Sequence, residues 1–73
     1  MGKFEEMCER LKRMDALIRR RGTGAPRAFA KLLGISRSTL FLYLGLLKDY
    51  GAEIAYDRER ESYYYECDFT LQL

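Results

Sequence analysis

The spacing of the apolar residues changes at Gly51, and this change constrains the fold more than any other feature of the sequence. Before Gly51, apolar residues recur every three or four positions with charged residues between them, which is typical of amphipathic helices. After Gly51 they recur at every second position, as at Ile54 and Tyr56, which is typical of strands. The sequence therefore predicts an α+β domain, with helices first and a β-hairpin after them.

Local signals set the ends of three predicted helices. Gly22 stops the first helix, Pro26 suits the first position of the second, and the Ser36 hydroxyl can cap the third. Gly34 and Gly51 end the second and third helices. The predicted helices are residues 4–21, 26–33 and 36–50. The predicted core consists of Leu11, Met14, Ile18, Phe29, Leu33, Ile35, Leu40, Leu44 and Leu47.

Two strands are predicted after the helices, near residues 53–56 and 62–66, with a polar loop between them. Side chains alternate along a strand, so Tyr63 and Tyr65 should face one side of the hairpin and Tyr64 the other. Two of these rings are expected to pack on the helices.

Length and composition exclude several classes of protein. Seventy-three residues leave room for one domain, and a hydrophobic fraction of 48% is too high for a disordered chain. No apolar run approaches about 18 residues and no basic-then-apolar leader is present, so we expect a soluble, cytoplasmic protein without membrane contact. The chain has two cysteines, Cys8 and Cys67, and no histidine. We therefore expect no metal site and no histidine-based catalysis. No ligand-sensing domain is visible within 73 residues, and we expect no cofactor and no small-molecule ligand.

Charge is distributed unevenly along the chain, although its net value is only +2. Residues 1–21 and 22–52 each carry +3, and residues 53–73 carry −4. An anionic partner would therefore meet the first two thirds of the chain more readily than its end.

The stretch from Phe29 to Leu47 has the residue types that a tight crossing of two helices needs. Ala30 provides a small side chain at the crossing, Gly34 tolerates positive φ in the turn, and Ile35 supplies an apolar contact. This pattern resembles the helix-turn-helix of DNA-binding proteins. With the helix before it and the hairpin after it, the chain resembles the winged helix-turn-helix of DeoR-type, biotin-repressor-type and WYL-domain regulators. The resemblance covers roughly residues 4–65 and rests on GISRSTLFLYL at 34–44 and GAEIAYDRERESYYY at 51–65.

The resemblance implies a sequence-specific regulator of transcription that binds double-stranded DNA and has no catalytic activity. Its third helix would be the recognition helix, where Arg37 can donate two bonds to guanine, worth about 1–3 kcal/mol of discrimination. The hairpin would be the wing, whose tip can reach the minor groove. Thr23 and Arg27, near the positive end of the second helix, are expected to contact phosphate. The expected DNA-binding residues are Ser36, Arg37, Ser38, Thr39, Phe41, Leu42, Arg58 and Arg60.

Purely structural interpretations of these residues stay open at this point. Arg37 can also be a solvated first-turn residue, and Thr39 a local capping partner. Acidic residues alternate with Arg58 and Arg60, and mixed charges at a hairpin tip are usually only solvated.

The outward face of the third helix favours a second hypothesis. It carries Phe41, Leu42, Gly45 and Leu46 where DNA readers usually place Arg, Lys, Asn or Gln. Phe41 and Leu42 can touch thymine methyl groups, but an apolar face of this width more often covers another protein. The alternative function is therefore a winged-helix module for protein–protein interaction.

Residues 67–73 predict self-association. Phe69, Leu71 and Leu73 alternate with polar residues, which predicts a further strand with no partner inside the fold. A domain of this length buries only about 60% of its chain surface. We therefore expect a homodimer that pairs through this terminal strand and presents two recognition helices about one helical turn apart.

Overall fold

The computed structural model describes residues 2–73, which form three helices followed by a two-stranded antiparallel hairpin. The predicted α+β class is confirmed, and the layout is compatible with a winged helix. The elements in chain order are α1 (Lys3–Arg19), α2 (Pro26–Leu33), α3 (Arg37–Asp49), β1 (Ile54–Asp57) and β2 (Ser62–Tyr65).

The first helix, α1, ends at Arg19, earlier than the sequence predicted. The Gly22 N–H donates to the Leu17 carbonyl at 2.9 Å, and the Arg21 N–H donates to the Ile18 carbonyl at 3.1 Å. This is the bonding pattern that closes a helix through a left-handed residue. Arg21 takes that conformation with φ +52°, so the backbone turns before Gly22 rather than at it.

Helices α2 and α3 meet nearly at a right angle, with a bend of 89° at the three-residue turn between them. Gly34 takes the left-handed conformation that ends α2, with φ +70°. The Ser36 Oγ accepts a bond from the Thr39 N–H at 3.1 Å and caps α3, as predicted. Among residues 2–73, no single helix is long and apolar enough to cross a membrane. Helices α2 and α3 reach that length and hydrophobicity only when they are counted together, as a bent pair.

The core lies between the three helices and one face of the hairpin. Eight of the nine predicted core residues are buried, and Ile35 is half-buried against the others. The hairpin and the chain end add side chains that the prediction omitted. The buried apolar residues are Leu11, Met14, Leu17, Ile18, Phe29, Ala30, Leu33, Leu40, Leu44, Leu47, Ala52, Tyr63 and Phe69.

The hairpin pairs Ile54 with Tyr65 and Asp57 with Ser62 at its two ends. Its observed strands lie within about one residue of the predicted ones. The Tyr63 ring packs against Phe29 at 5.8 Å between ring centres, which confirms that this side of the hairpin faces the helices.

Residues 67–73 form no strand within the described part of the chain, and the prediction of a terminal strand is wrong. Phe69 is buried, with its ring 5.1 Å from that of Tyr65. Its carbonyl accepts a bond from the Arg19 guanidinium, so a side chain takes the place of a strand partner. The chain end packs onto its own domain, and a dimer contact through a terminal strand loses its structural basis.

Candidate nucleic-acid interface

One side of α3 faces the core and the opposite side faces solvent. Leu40, Leu44 and Leu47 are buried, and residues at three- and four-position spacing share one side of a helix. The outward side carries Leu42, which is 63% exposed, with Phe41 beside it at 52%. Phe41 and Leu42 of the predicted apolar face are therefore uncovered by this chain, whereas Leu46 is half-buried against the core, and its predicted outward position is wrong.

The four predicted DNA-binding residues at the start of α3, residues 36–39, fall into two pairs with different contacts. Ser36 and Thr39 are engaged with each other, because the Ser36 Oγ also donates to the Thr39 Oγ1 at 3.0 Å. The capping interpretation accounts for both hydroxyls. Arg37 and Ser38 are exposed, and their side chains make no hydrogen bond or ion pair within residues 2–73.

Helices α2 and α3 lie in a segment that contains cations and no acids. Residues 16–48 hold seven Lys or Arg residues and not one Asp or Glu. Two of these cations interact with other side chains of the protein. Arg19 pairs with Asp15 at 3.0 Å, and the Arg21 guanidinium lies 4.6 Å from the centre of the Tyr64 ring. The other five are exposed, and in the described part of the chain none pairs with an acid. These five are Arg20, Arg27, Lys31, Arg37 and Lys48.

The tip of the hairpin is a compact turn held by one carboxylate. The Asp57 Oδ1 accepts bonds from the Glu59 N–H at 2.9 Å and the Arg60 N–H at 3.2 Å. Glu61 completes the turn with φ +51°. Arg58 and Arg60 are exposed there beside exposed acids, so the tip presents mixed charge. No hydrogen bond or ion pair described for residues 2–73 joins this tip to α3.

Thr23 is completely buried, so its predicted contact with phosphate is wrong. Its Oγ1 accepts a bond from the Tyr63 N–H at 2.9 Å, and its own N–H donates to the Ser62 Oγ at 3.2 Å. The hydroxyl connects the α1–α2 loop to β2 instead of facing a ligand. Arg27, the other predicted phosphate contact, is exposed in the first turn of α2.

A second link, which the sequence did not indicate, joins α1 to β2. The Tyr65 hydroxyl donates to the Asp15 Oδ1 at 2.7 Å. Arg19 donates to the other Asp15 oxygen and lies 5.5 Å from the centre of the Tyr65 ring. Burial and the bond to Asp15 raise the pKa of Tyr65 far above its ordinary value. The partners are 50 residues apart, and no local pattern could pair them.

The described residues therefore include exposed guanidinium and ammonium groups on α2 and α3 and two exposed apolar side chains on α3. Such groups can bind phosphates, and an arginine at a helix N-terminus can read a base edge. No protein-family model, curated protein or solved structure matches this chain.

Proposed function

We propose that the chain is a winged helix-turn-helix domain that binds double-stranded DNA in the control of transcription, in the cytoplasm and without catalysis. The observation that carries this proposal is the charge of the helix-turn-helix segment. Residues 16–48 contain only cationic charges, and five of them are exposed and without an acidic partner in the described residues. A surface of this kind attracts a polyanion.

In the proposed complex, α3 lies in the major groove and the hairpin is the wing. Arg37, in the first turn of α3, donates to O6 and N7 of a guanine. Arg27, Lys31 and Lys48 displace the counterions that are condensed on the phosphates. Arg58 and Arg60 contribute less, because the acids beside them reduce the positive potential of the tip.

A salt titration tests the proposal. Binding to random-sequence and to enriched duplexes would be measured by fluorescence anisotropy at two salt concentrations. We expect affinity to fall steeply with salt, with a slope of about −0.9 per phosphate contact. No binding tighter than about 10⁻⁴ M at low salt would contradict DNA binding, because even non-specific complexes reach that range.

Arg37→Ala tests the position of the reading surface, and Arg13→Ala is its matched control. Both residues are exposed and both changes remove one positive charge, but Arg13 lies on α1. We expect Arg37→Ala to cost about 1–3 kcal/mol against the enriched duplex. Arg13→Ala should change affinity little on either duplex. Equal effects of the two variants would mean that α3 does not read bases.

The exposed Phe41 and Leu42 favour a second candidate function, a module that binds another protein through α3. In that case Arg37→Ala would leave DNA affinity and its salt slope unchanged. A Leu42→Glu variant would disrupt the protein contact.

A further inference from the structure

The outward side of α3 contains a glycine that the fold itself does not require. Gly45 lies in the middle of the helix, where glycine costs about 1 kcal/mol relative to alanine. Apart from its two chain neighbours and the backbone of its own helix, a Cβ at this position would meet no atom within 4 Å. No packing contact within the chain therefore excludes a side chain, and the glycine leaves room for close approach by a partner.

The apolar centre next to this glycine is small. Phe41 and Leu42 are the exposed large apolar side chains of α3, at 52% and 63%. A whole aromatic side chain buries only about 150–250 Å², whereas specific protein complexes bury about 800 Å² on each partner. Phe41 and Leu42 therefore supply only a small part of the area of a protein interface. Each is large enough, however, to cover a single methyl group.

The exposed charges of α2 and α3 point to the class of partner. Arg37 and Lys48 lie at the two ends of the same helix, and Lys31 and Arg27 lie on α2. All four are exposed. A partner that meets both the exposed cations and the exposed apolar side chains must offer anionic groups and small apolar groups. The major groove of DNA offers both, with phosphates on its two sides and the C5-methyl group of thymine on its floor.

We propose that Phe41 and Leu42 contact thymine C5-methyl groups, so that this domain selects sites by methyl contact as well as by the hydrogen bonds of Arg37. The proposal rests on the proposed DNA binding and specifies what α3 reads. Leu42 touches one methyl group, Phe41 touches a neighbouring one, and the missing side chain at Gly45 lets the helix lie close to the groove. Arg37 supplies the hydrogen bonds at one end of the contact.

The test removes the methyl group and leaves base pairing unchanged. A duplex enriched from a random pool is synthesised with thymine or with deoxyuridine in its place, and both are titrated at the same salt concentration. Burial of one methyl group is worth roughly a fourfold change in affinity, so the loss of two contacts should weaken binding about 15-fold. The salt slope should stay the same, because the phosphate contacts do not change.

Two leucine variants show whether α3 causes this difference. With Leu42→Ala, the ratio between the thymine and deoxyuridine duplexes should fall to about fourfold, because only the Phe41 contact remains. Leu32→Ala removes a leucine of similar exposure, 48%, from α2, and should leave the ratio unchanged. Both side chains are too exposed for either change to threaten folding, and far-ultraviolet circular dichroism checks this.

The outcomes separate the inference from the function on which it rests. Equal binding of the thymine and deoxyuridine duplexes, with binding itself retained, overturns methyl reading and leaves DNA binding standing. Absence of binding to any duplex at low salt overturns both. A dimer of the free protein that dissociates in Leu42→Ala also overturns methyl reading, because a second copy would then cover this side of α3.

Discussion

The hydroxyls of Thr23 and Ser62 lie 3.1 Å apart in the protein interior. Each hydroxyl has one proton to donate and two lone pairs to accept with. Thr23 accepts from the Tyr63 N–H and can donate to the Gly24 carbonyl at 2.8 Å. Ser62 accepts from the Thr23 N–H and can donate to the Tyr63 carbonyl at 2.9 Å. The pair is therefore fully bonded, as buried polar groups need to be.

Thr23→Val should destabilise the domain by about 1–3 kcal/mol. Valine has nearly the same shape but cannot bond, so the Tyr63 N–H loses its partner in the interior and the Gly24 carbonyl loses the Thr23 hydroxyl. Urea unfolding measures the change. Thr70→Val, at an exposed position, should stay within about 0.5 kcal/mol of the wild type. If the two variants have the same stability, the bonds to Thr23 contribute nothing.

Tyr65 should make the domain lose stability in alkaline solution. Its pKa in the folded state is raised by burial first and by the bond to Asp15 second. A raised folded pKa means that the stabilisation is complete below the unfolded value of about 10 and is lost as the pH rises above it. The free energy of unfolding should therefore fall from about pH 10 upward.

Tyr65→Phe isolates this effect. The variant should be less stable near neutral pH, because Asp15 loses its bond to the hydroxyl, but its stability should decline less steeply above about pH 10. Some decline will remain, since burial also raises the pKa of Tyr63. Urea unfolding at a series of pH values measures both slopes, and identical slopes would rule out Tyr65 as the source.

At the scale of single elements, local chemistry determined most helix ends. The predicted bounds of α2 are the observed ones, because Pro26 and Gly34 act on the backbone at their own positions. Both ends of α3 also follow from local signals, which are the Ser36 cap at its start and Gly51 just after its end. The predicted end of α1 was late because Arg21, and not a glycine, takes the left-handed conformation. The sequence contained no signal for that choice.

Contacts between distant elements decided what the sequence could not predict. Thr23 lies in the loop before α2, where the sequence predicted a surface residue, yet it is buried against Ser62, 39 residues away. The alternation at residues 67–73 is that of a strand, but the Arg19 side chain bonds the Phe69 carbonyl. In the candidate interface, the exposure of Arg37, Phe41 and Leu42 could be predicted, because it follows from the helical spacing of the buried leucines.

Gly45→Ala should stabilise α3 and weaken DNA binding at the same time. Alanine gains about 0.5–1 kcal/mol in a helix interior, and its methyl group meets no atom of the chain. On the outward side the same methyl group obstructs the groove. Thermal unfolding and anisotropy titration measure the two effects. The control is Gly34→Ala, which should destabilise because φ is +70° there. A gain in stability with unchanged affinity would mean that the groove does not approach Gly45.

The whole molecule has a separation of charge that single elements do not reveal. The segment 16–48 is cationic throughout, and the last 21 residues carry −4. If the proposed DNA binding takes place, we expect the cationic segment 16–48 to make the first contact and the association rate to decrease with salt.

A homodimer stays a prediction, on the grounds of the small size of the domain and its exposed Phe4, Tyr50 and Leu73. Light scattering of the full chain should give twice the monomer mass, and Leu42→Ala should leave that mass unchanged. Removal of residues 67–73 would not test the contact, because it takes Phe69 out of the core. A monomeric mass across a wide range of concentrations contradicts the prediction.

The bonds between Thr23 and β2 join distant parts of the chain, and this predicts the order in which the domain folds. An isolated two-stranded hairpin is marginally stable in water, and this one is anchored to a loop 39 residues earlier in the chain. Closing so long a loop costs entropy before the anchor forms, whereas α2 and α3 meet through a three-residue turn. We therefore expect the helices to assemble first and the hairpin to join them in the last step of folding. In that case, Thr23→Val would accelerate unfolding and leave the folding rate almost unchanged.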